Sequence, residues 1–506
     1  MPKKIHIDGA ALSTENIDQI VRLGAPISLS RDAKLRVKKC EREFVEALDN
    51  GEISFEIPGA PAGGIGGKRE GELSPRSIIA SLSAGAGELE PVRSVRAAML
   101  CKVNSLARGN TPIRLKTLET LIQLIDRGVT PCVHEYTSIN NEGDSSALAE
   151  VAYTLMGNGE AIYRGELMPA ALALKKASIK PVEIEPWEIK GLISGAFFSL
   201  GNITLNVGDA ETAIKNELVA IAISLDTARY SLNPLLTMAG KRKNTTSKTI
   251  ETITRIIGEK GTKQAIEKAG KAAKKDPSDL IHIVEVISSA IDAFTYARKM
   301  IAAEIDSAQS SPVFNSSQGT LSMGKSANWH SLEPAMSLLN HALCNIITVS
   351  SYNTESAVRT AIEGDRNGKI SKENTLLLSS LQTLSQSISA ECCSIVLPHN
   401  AIGCTKFSSE EMHSAPGLPA IKVLQKTCDS LRVASSIEIL VSSQIIDLHT
   451  GKAARGVKSL YRAVRNAVSP FSTIKPLHDD IDMLAELLRE GYLLKKVERL
   501  AGPIAL

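Results

Sequence analysis

The sequence predicts a mainly α-helical protein built around a long antiparallel helix bundle. Apolar residues recur at i, i+3, i+4 and i+7 in many segments, which is the spacing of one face of an α-helix. Hydrophobic residues make up 43% of the 506 residues but aromatic residues only 4%, so the core must be packed mainly from aliphatic side chains. Long helices joined by irregular loops are typical of one extended bundle.

The predicted helices follow one another along most of the chain. Two of them begin near a proline, at Asp276-Pro277 and Glu333-Pro334, where the missing N–H costs the first turn nothing. Segments without helical periodicity are predicted to be loops: Gly59 to Ser74, Ser307 to Asn328 and His399 to Pro416. The helices themselves are predicted at Leu115 to Arg127, Ala147 to Met156, Thr212 to Ala228, Pro277 to Asp306, Leu332 to Ser350, Lys372 to Glu391 and Leu418 to Leu448.

Composition and charge argue against several classes of protein. The formal net charge of +3 is too small to create a strong field for polyanions. The basic stretches Lys241 to Lys243 and Glu259 to Lys275 have no aromatic residues between their charges, so they indicate solvated helix surface. We therefore expect no nucleic-acid partner.

Targeting signals are also not evident. The first residues, Met1 to Lys4, are followed by polar and charged sequence rather than an apolar core. Apolar runs such as Leu167 to Leu174 are far shorter than a membrane span. The eight cysteines have no C-x-x-C spacing and are expected to be reduced thiols. These observations predict a cytoplasmic protein that does not bind a membrane.

One stretch carries a recognisable signature. Thr137 to Glu166 reads T-S-I-N-N-E-G-D-S-S-A-L-A-E-V-A-Y-T-L-M-G-N-G-E-A-I-Y-R-G-E. It resembles the histidine/phenylalanine ammonia-lyase family, in which G-S-V-G-A-S-G-D-L-A-P-L-A-H is followed by G-x-G-E-A. In that family the Ala-Ser-Gly tripeptide cyclises and loses water to form the electrophilic methylidene-imidazolone group. The stretch is therefore identified as the counterpart of the family's electrophile loop.

Further blocks resemble the same family in the same order and with roughly the same spacing. Each block is weak alone, but together they cover the chain from about Asn50 to about Leu448. The blocks are Ile78 to Pro91, Arg96 to Arg114, Glu188 to Ser194, Ala327 to Pro334 and Ser409 to Ser414.

The resemblance implies an architecture and an assembly. It implies an N-terminal region with a small mixed α/β cap and the former electrophile loop, residues 1–200. The long-helix bundle and the C-terminal helices would follow, residues 201–506. It also implies a homotetramer in which neighbouring subunits complete each active site.

The chain departs from the family at the residues that perform its chemistry. The tripeptide positions read Asn141-Glu142-Gly143, and Glu142 has no β-leaving group from which the methylidene could form. The stretch Phe55 to Gly67, which corresponds to the family's catalytic tyrosine loop, contains no tyrosine. The family's prosthetic-group asparagine appears as Ala196, and the substrate-carboxylate arginine block has only a poor counterpart at residues 275–281. We therefore expect no methylidene-imidazolone, and no other cofactor.

Four residues are candidates for catalysis: Glu142, His330, Glu410 and His413. Glu142 lies at the tip of the former electrophile loop, where a carboxylate could act as a general base or could instead cap a backbone or form an ion pair. The resemblance places His330 at the border of the active site and Glu410 where the family handles the substrate amine. Glu410 and His413 have an i, i+3 spacing seen in some metal sites, but with only nine histidines no metal is expected.

Five further residues are candidates for substrate binding: Asn141, Asn328, Trp329, Lys325 and Ser322. Trp329 could equally fill core volume. Ser322 and Lys325 lie in a segment that weakly resembles the mobile serine loop of the fumarase/aspartase lyases, so either could serve an elimination that needs no prosthetic group. A solvent-facing or structural role is expected for His134, Glu135 and Tyr136, which precede the loop.

Two functional hypotheses follow, and a third, a true ammonia-lyase with an unconventional prosthetic group, is the least favoured. The first is a lyase-type enzyme that uses ordinary acid and base residues for elimination, addition or cyclisation of a small amino-acid-derived or carboxylate substrate. The second is a catalytically silent family member that acts as a binding or assembly subunit. The polar residues that occupy the altered positions favour the first hypothesis, because simple decay would leave alanine or glycine there.

Overall fold

The computed structural model describes residues 3–10, 12–53, 73–137, 143–228, 232, 235–237, 244–258, 277–307, 310–315, 317–322, 329–365, 368, 370–401, 417–449, 456–471 and 475–506. The described chain is mainly helical, which confirms the predicted fold class. Its helices are α1 Thr14–Val21, α2 Arg31–Asp49, α3 Pro75–Leu82, α4 Val92–Leu106, α5 Leu115–Asp126, α6 Ser145–Leu155, α7 Ala170–Lys176, α8 Glu188–Ile193, α9 Phe197–Ala228, α10 Thr245–Ile257, α11 Pro277–Ser307, α12 Trp329–Gly364, α13 Lys372–Ala401, α14 Gly417–His449, α15 Val457–Ala467, α16 His478–Arg489 and α17 Tyr492–Ala501.

Side-chain caps define where the first three helices begin. The hydroxyl of Ser13 accepts a hydrogen bond from the backbone of Asn16 at the start of α1. Ser30 caps α2 in the same way. Ser74 caps α3, whose first residue is Pro75. Each hydroxyl satisfies one of the N–H groups that the first helical turn leaves unpaired, so the sequence specifies these boundaries locally.

All seven predicted helices are present, but the long ones extend beyond the periodic segments. The helix predicted from Leu332 to Ser350 runs from Trp329 to Gly364. Its added part contains buried polar residues, including Asn353 and Thr354, which hide the apolar period. The predicted helix start at Pro334 is wrong, because this proline lies inside α12. The helix predicted to start at Pro277 does begin there.

Short strands form four small sheets. Strand β1 (Ile5–Ile7) pairs with β2 (Ile27–Leu29) in parallel. The other strand pairs are antiparallel. The remaining strands pair as β3 with β5, β4 with β6, β6 with β7, and β8 with β9. They are β3 Gly85–Leu89, β4 Val129–Pro131, β5 His134–Thr137, β6 Glu160–Tyr163, β7 Glu166–Pro169, β8 Val313–Asn315 and β9 Thr320–Ser322.

The β8–β9 hairpin lies in a segment that was predicted to be a loop, and for these residues that prediction is wrong. Its anchor is Phe314, which is buried against Phe44 of α2 at 5.5 Å between ring centroids. Phe44 also lies 5.5 Å from Trp187. Aromatic pairs at this separation gain more than their buried area alone. A tertiary contact of this kind leaves no periodic pattern in the hairpin's own sequence.

The chain divides into two compact units. Unit 1 comprises Met1–Gly208, Lys299–Glu333 and Cys404–Ile421. Unit 2 comprises Asp209–Arg298, Pro334–Gly403 and Lys422–Leu506. All nine described strands belong to unit 1. The division of the chain at residue 200 stays a prediction.

One described helix, α11, is long and apolar enough over Asp279–Ser307 to cross a membrane by length and composition alone. More than half of its most apolar window, 56%, is buried inside the protein. Core helices commonly share these properties, so this is weak evidence for a membrane span.

A pair of fully buried carboxyl groups lies in the core of unit 2. Glu217 of α9 accepts a hydrogen bond from the Ser435 hydroxyl at 2.6 Å, and Glu438 of α14 accepts one from the Ser350 hydroxyl, also at 2.6 Å. The Asn353 amide donates to Glu438 at 3.1 Å. Burial raises the pKa of Glu438 to about 7. Burial and the charge of Glu438 raise the pKa of Glu217 well above its usual range, so the two groups share a proton at neutral pH.

This pair makes the stability of the protein dependent on pH. The pKa of Glu438 rises from 4.5 to about 7 on folding. The protonated Glu438 therefore makes its full contribution to the free energy of unfolding below about pH 4.5. This contribution is lost as the pH rises through about 7. For a shift of this size the loss is on the order of 3 kcal/mol. Glu438→Gln keeps the shape and stays neutral, so we expect it to melt at a higher temperature than the wild type at pH 8 and at a similar one at pH 5.

Thermal melts at the two pH values measure this difference. Glu363→Gln, which changes an exposed carboxylate at the end of α12, is the matched control and should show no pH-dependent gain. A Glu438→Gln variant that is less stable than the wild type at pH 8 would contradict the shared proton.

Candidate functional site

Most residues predicted to form the site lie outside the described part of the chain. This applies to Asn141, Glu142, Lys325, Asn328, Glu410 and His413. The backbone of Trp329 and His330 begins α12, but their side chains are not among those described. Ser322 is exposed at the end of β9 and pairs with Val313. The roles assigned to these residues therefore stay predictions.

A tight backbone contact lies at Gly143, directly after residues 138–142. Gly143 forms an isolated parallel bridge with Gly195, at a φ of +109°. A Cβ atom at Gly143 would lie 2.3 Å from the carbonyl carbon of Gly195. Only glycine fits this approach and this backbone conformation without strain. The backbone N–H of Asp144 then donates to the carbonyl of Gly195 at 3.2 Å, which fixes the end of the loop.

Asp144 attaches the loop to the first turn of α9. Its carboxylate accepts the backbone N–H of Ser199 at 2.8 Å and the Ser199 hydroxyl at 2.7 Å. Burial raises the pKa of Asp144 to about 6, against hydrogen bonds from Ser199 and Phe198 and the charge of Lys102, which act in the opposite direction. Unpaired N–H groups at the start of a helix favour a carboxylate at this position.

Lys102 of α4 completes this buried polar centre. Its ammonium donates to the Ser194 carbonyl at 2.7 Å and to the Ser310 hydroxyl at 2.9 Å. It also lies 4.8 Å from the centre of the Phe197 ring. Burial lowers its pKa well below the usual value, while the charge of Asp144 opposes that effect. A cavity of about 10 Å³ beside Lys102, otherwise lined by apolar side chains, has room for about one water molecule.

Ser194 joins the segment before α9 to the segment before β8. Its hydroxyl donates to the carbonyl of Ser311 at 2.8 Å and accepts the N–H of Ser311 at 2.7 Å. The resemblance to the family instead singles out Ala196, which stands where the family has its prosthetic-group asparagine. The side chain that takes part in the polar network is therefore Ser194, two residues earlier.

Two of the family-like blocks meet through an ion pair. Glu188 of α8 is fully buried and accepts the backbone N–H of Arg114 at 3.0 Å and its side-chain Nε at 2.8 Å. Glu188 also accepts the N–H of Glu185 at 2.9 Å. Breaking a buried pair of this kind commonly costs about 3–5 kcal/mol, so Arg114 and Glu188 hold the framework.

A histidine–carboxylate pair lies on the strand that leads into the loop. Nδ1 of His134 in β5 is 2.7 Å from Oε1 of Glu150 in α6. Oε2 of the same carboxylate accepts the backbone N–H of His134 at 3.0 Å. The Glu150 side chain is 8% exposed and that of His134 is 37% exposed. A buried carboxylate therefore orients an imidazole whose ring remains accessible to solvent.

Glycine at position 85 makes room for this pair. A Cβ atom there would lie 2.5 Å from Oε1 of Glu150 and 2.7 Å from Cβ of His134. Because the Glu150 carboxylate accepts a hydrogen bond from Nδ1–H, Nε2 is the ring nitrogen that can accept a proton. We assign this tautomer from the hydrogen bond. The arrangement can perform general base chemistry, and it lies four residues before the loop.

Sequence reasoning had assigned His134 a structural or solvent-facing role, and it had not singled out Glu150. One signal for the pair was present in the sequence. Glu150 is the last residue of D-S-S-A-L-A-E, where the resembling family has histidine in D-L-A-P-L-A-H. The partner could not be found in this way, because the contact joins a strand to a helix. Among the described residues, no group of three or more histidine, cysteine, aspartate or glutamate side chains could hold a metal ion.

Comparisons with known proteins agree with this framework. The sequence model of the family described as "Aromatic amino acid lyase" matches residues 12–466. A histidine ammonia-lyase of Gloeobacter violaceus is 28% identical, with 98% of each chain covered. A probable histidine ammonia-lyase of Thermoplasma volcanium is 25% identical, covering 97% of this chain and 99% of that protein.

Solved structures share the fold. The histidine ammonia-lyase of Trypanosoma cruzi superposes with a TM-score of 0.83 at 18% identity, and 99% of each chain is covered. The phenylalanine aminomutase of Pantoea agglomerans gives a TM-score of 0.81 at 21% identity, covering 96% of this chain and 99% of that one. The family model spans most of the sequence, and the helical framework holds the loop region at Gly143 and Asp144. The chain therefore belongs to the aromatic amino acid lyase family.

Proposed function

We propose that this protein is a lyase that works without the methylidene-imidazolone group. It would act on a small amino-acid-derived or carboxylate substrate, by elimination, addition or cyclisation with ordinary acid and base residues. Membership of a family of lyases supports the reaction class. The observation that carries the proposal is the His134–Glu150 pair, which places an oriented imidazole on the strand that enters the loop.

The residues at the loop do not fit the family's prosthetic group. Cyclisation would need the nitrogen of Gly143 to attack the carbonyl of Asn141, and dehydration would then need a leaving group on the side chain between them. Glu142 carries a carboxylate and has no hydroxyl to lose. Gly143 is also fixed by its bridge to Gly195. The sequence Asn141-Glu142-Gly143 therefore offers no route to an imidazolone.

In the proposed site, His134 acts as a general base through Nε2. Glu150 acts as a positioning residue, because it fixes the tautomer and the ring orientation. Glu142, His330, Glu410 and His413 remain the candidates for further acid–base work. Asn141, Ser322, Lys325, Asn328 and Trp329 remain the candidates for binding the substrate.

The framework supports a retained function rather than decay. Asp144 and Lys102 are buried ionisable groups, and their burial is expensive unless they are paired and hydrogen-bonded. His134 is an accessible group with a dedicated buried partner, and a surface histidine needs none for stability. A silent binding or assembly subunit is the alternative, and an inactive enzyme in the assays below would favour it.

We also propose that the protein assembles as a homotetramer in the cytoplasm, with active sites shared between subunits, and that it binds neither membrane nor nucleic acid. In the single chain, α13 exposes large apolar side chains, at Leu376, Leu384 and Leu397. Leu338 and Ile362 of α12 are also exposed. Further copies of the chain would cover such residues, since obligate interfaces are large and apolar.

The first prediction of the proposed function concerns the covalent state of residues 141–143. The intact mass of the purified protein should equal that of the unmodified sequence, because Glu142 cannot be dehydrated. Peptide mapping of residues 138–144 would locate any change. The loss of two water molecules at Asn141 to Gly143 would contradict the proposal.

The second prediction concerns assembly. Light scattering coupled to size-exclusion chromatography should give a mass near four chains. Leu384→Glu, which places a charge on the exposed face of α13, should shift the mass towards smaller species. Lys372→Glu changes an exposed residue at the start of the same helix and is the control. A clean monomer at micromolar concentration would rule out both the tetramer and the shared site.

The third prediction tests the chemistry. Turnover would be sought with L-histidine, L-phenylalanine and L-tyrosine, because relatives and solved neighbours are named for these amino acids. Their deaminated acids with ammonium would test the addition direction. With any substrate that is turned over, His134→Gln should lower kcat by about 10²–10⁴-fold, the usual contribution of a general base.

Two further variants separate positioning from folding. Glu150→Gln presents an amide that donates to Nδ1, which moves the ring proton to Nε2, so kcat should fall while KM changes little. Glu142→Gln should also lower kcat, with little change in melting temperature. Glu166→Gln, at a side chain that is 75% exposed, is the control. Full activity in the His134 and Glu142 variants would contradict the assignment, and a wild type inactive in every assay would favour the silent subunit.

A further inference from the structure

Three thiols meet where α12 and α13 pack together in unit 2. Cys344 lies on α12, and Cys392 and Cys393 are consecutive residues of α13. The sulfur atoms of Cys344 and Cys393 are 3.4 Å apart. This is a non-bonded contact between reduced thiols, and a small movement of the two side chains would bring the sulfurs to bonding distance.

The three thiols also differ in acidity. A hydrogen bond with Cys344 lowers the pKa of Cys392 against the effect of burial, and the Thr427 hydroxyl adds to the lowering. The same bond and burial raise the pKa of Cys344. Burial and the contact with Cys344 raise the pKa of Cys393. Cys344 is therefore the central thiol. It donates a hydrogen bond to Cys392, and its sulfur contacts that of Cys393.

Accessibility distinguishes Cys393 from its two neighbours. Cys344 is 4% exposed and Cys392 is 3% exposed, whereas Cys393 is partly exposed. In the single chain, a small oxidant approaching from solvent therefore meets Cys393 first. Cys40 and Cys101 are buried elsewhere in the chain, so an oxidant from solvent does not meet them first.

Geometry also selects the partner of Cys393. Consecutive Cα atoms lie about 3.8 Å apart across a trans peptide. A relaxed disulfide needs Cα atoms about 4.4–6.8 Å apart, so Cys392 and Cys393 cannot be joined within the helix. Cys344 is on the facing helix, with its sulfur already in contact. A disulfide of Cys393 would therefore form with Cys344.

We propose that Cys344 and Cys393 form a redox modification site, in which an oxidant of the hydroperoxide class converts the two thiols into a disulfide between α12 and α13. The Cys393 sulfur first attacks the peroxide, which gives a sulfenic acid and one water molecule. The sulfur of Cys344 then attacks the sulfenic sulfur, its proton leaves through Cys392, and a second water molecule is released. Two thiols lose two electrons and two protons, and hydrogen peroxide is reduced to two water molecules.

The disulfide would link two long helices of unit 2 across 49 positions of sequence. A crosslink that closes a loop restricts the unfolded chain more than the folded one. Oxidised protein should therefore melt at a higher temperature than reduced protein, and a thiol reductant should reverse the gain. This site does not depend on the proposed lyase chemistry, so either proposal can fail without the other.

Peptide mapping after oxidation tests the site directly. The full-length protein would be treated with hydrogen peroxide, alkylated, and digested with trypsin without reduction. Cys344 lies in the peptide of residues 326–359, and Cys392 and Cys393 lie in the peptide of residues 373–406. We expect these two peptides to be joined, to separate on reduction, and to remain separate in Cys393→Ser and in Cys344→Ser.

Two control variants identify the sulfur that reacts. Cys404 shares the second peptide, so Cys404→Ser should keep the crosslink, and Cys392→Ser should keep it as well. If Cys344→Ser fails to fold, Cys393→Ser at the partly exposed position still decides the assignment. A crosslink that persists in Cys393→Ser, or peroxide treatment that joins no peptides in the wild type, would overturn the proposal.

Discussion

The loop region depends on how Gly143 and Asp144 are attached to the residues before α9 and to its first turn. The bridge between Gly143 and Gly195 sets the backbone path, and a side chain at Gly143 would prevent that approach. The carboxylate of Asp144 then occupies the start of the helix, where it pairs with Ser199. Together these contacts fix one end of the loop, whatever residues the loop itself presents. A rigid end of this kind lets the residues of the loop change while the framework stays in place.

The two units balance their buried charge in different ways. In unit 1, Lys102 and Asp144 lie in one polar centre, where the charge of each group opposes the effect of burial on the pKa of the other. In unit 2, two carboxyl groups, Glu217 and Glu438, share a proton and are hydrogen-bonded by serine hydroxyls. An uncompensated charge would be expensive in either core.

The chemistry proposed for this family member uses groups that the framework positions locally. Glu150 orients His134 with both of its oxygens, which a carboxylate on a buried helix can do without moving. General acid and base groups work at positions that are accessible yet rigidly held. The exposed apolar faces of α12 and α13 indicate where further copies of the chain would pack. The thiol cluster between these two helices adds chemistry that is unrelated to the loop.

The sequence by itself determined the helical fold class, because helices that bury one face must repeat apolar residues at the helical period. It also identified the family, through blocks such as Thr137 to Glu166, and the absence of a leaving group at Glu142. It did not give the full length of α12, where Asn353 and Thr354 are buried polar residues that break the apolar pattern. It gave neither the β8–β9 hairpin nor the His134–Glu150 and Cys344–Cys393 contacts. These features depend on groups that only the tertiary structure brings together, and local periodicity contains no information about such contacts.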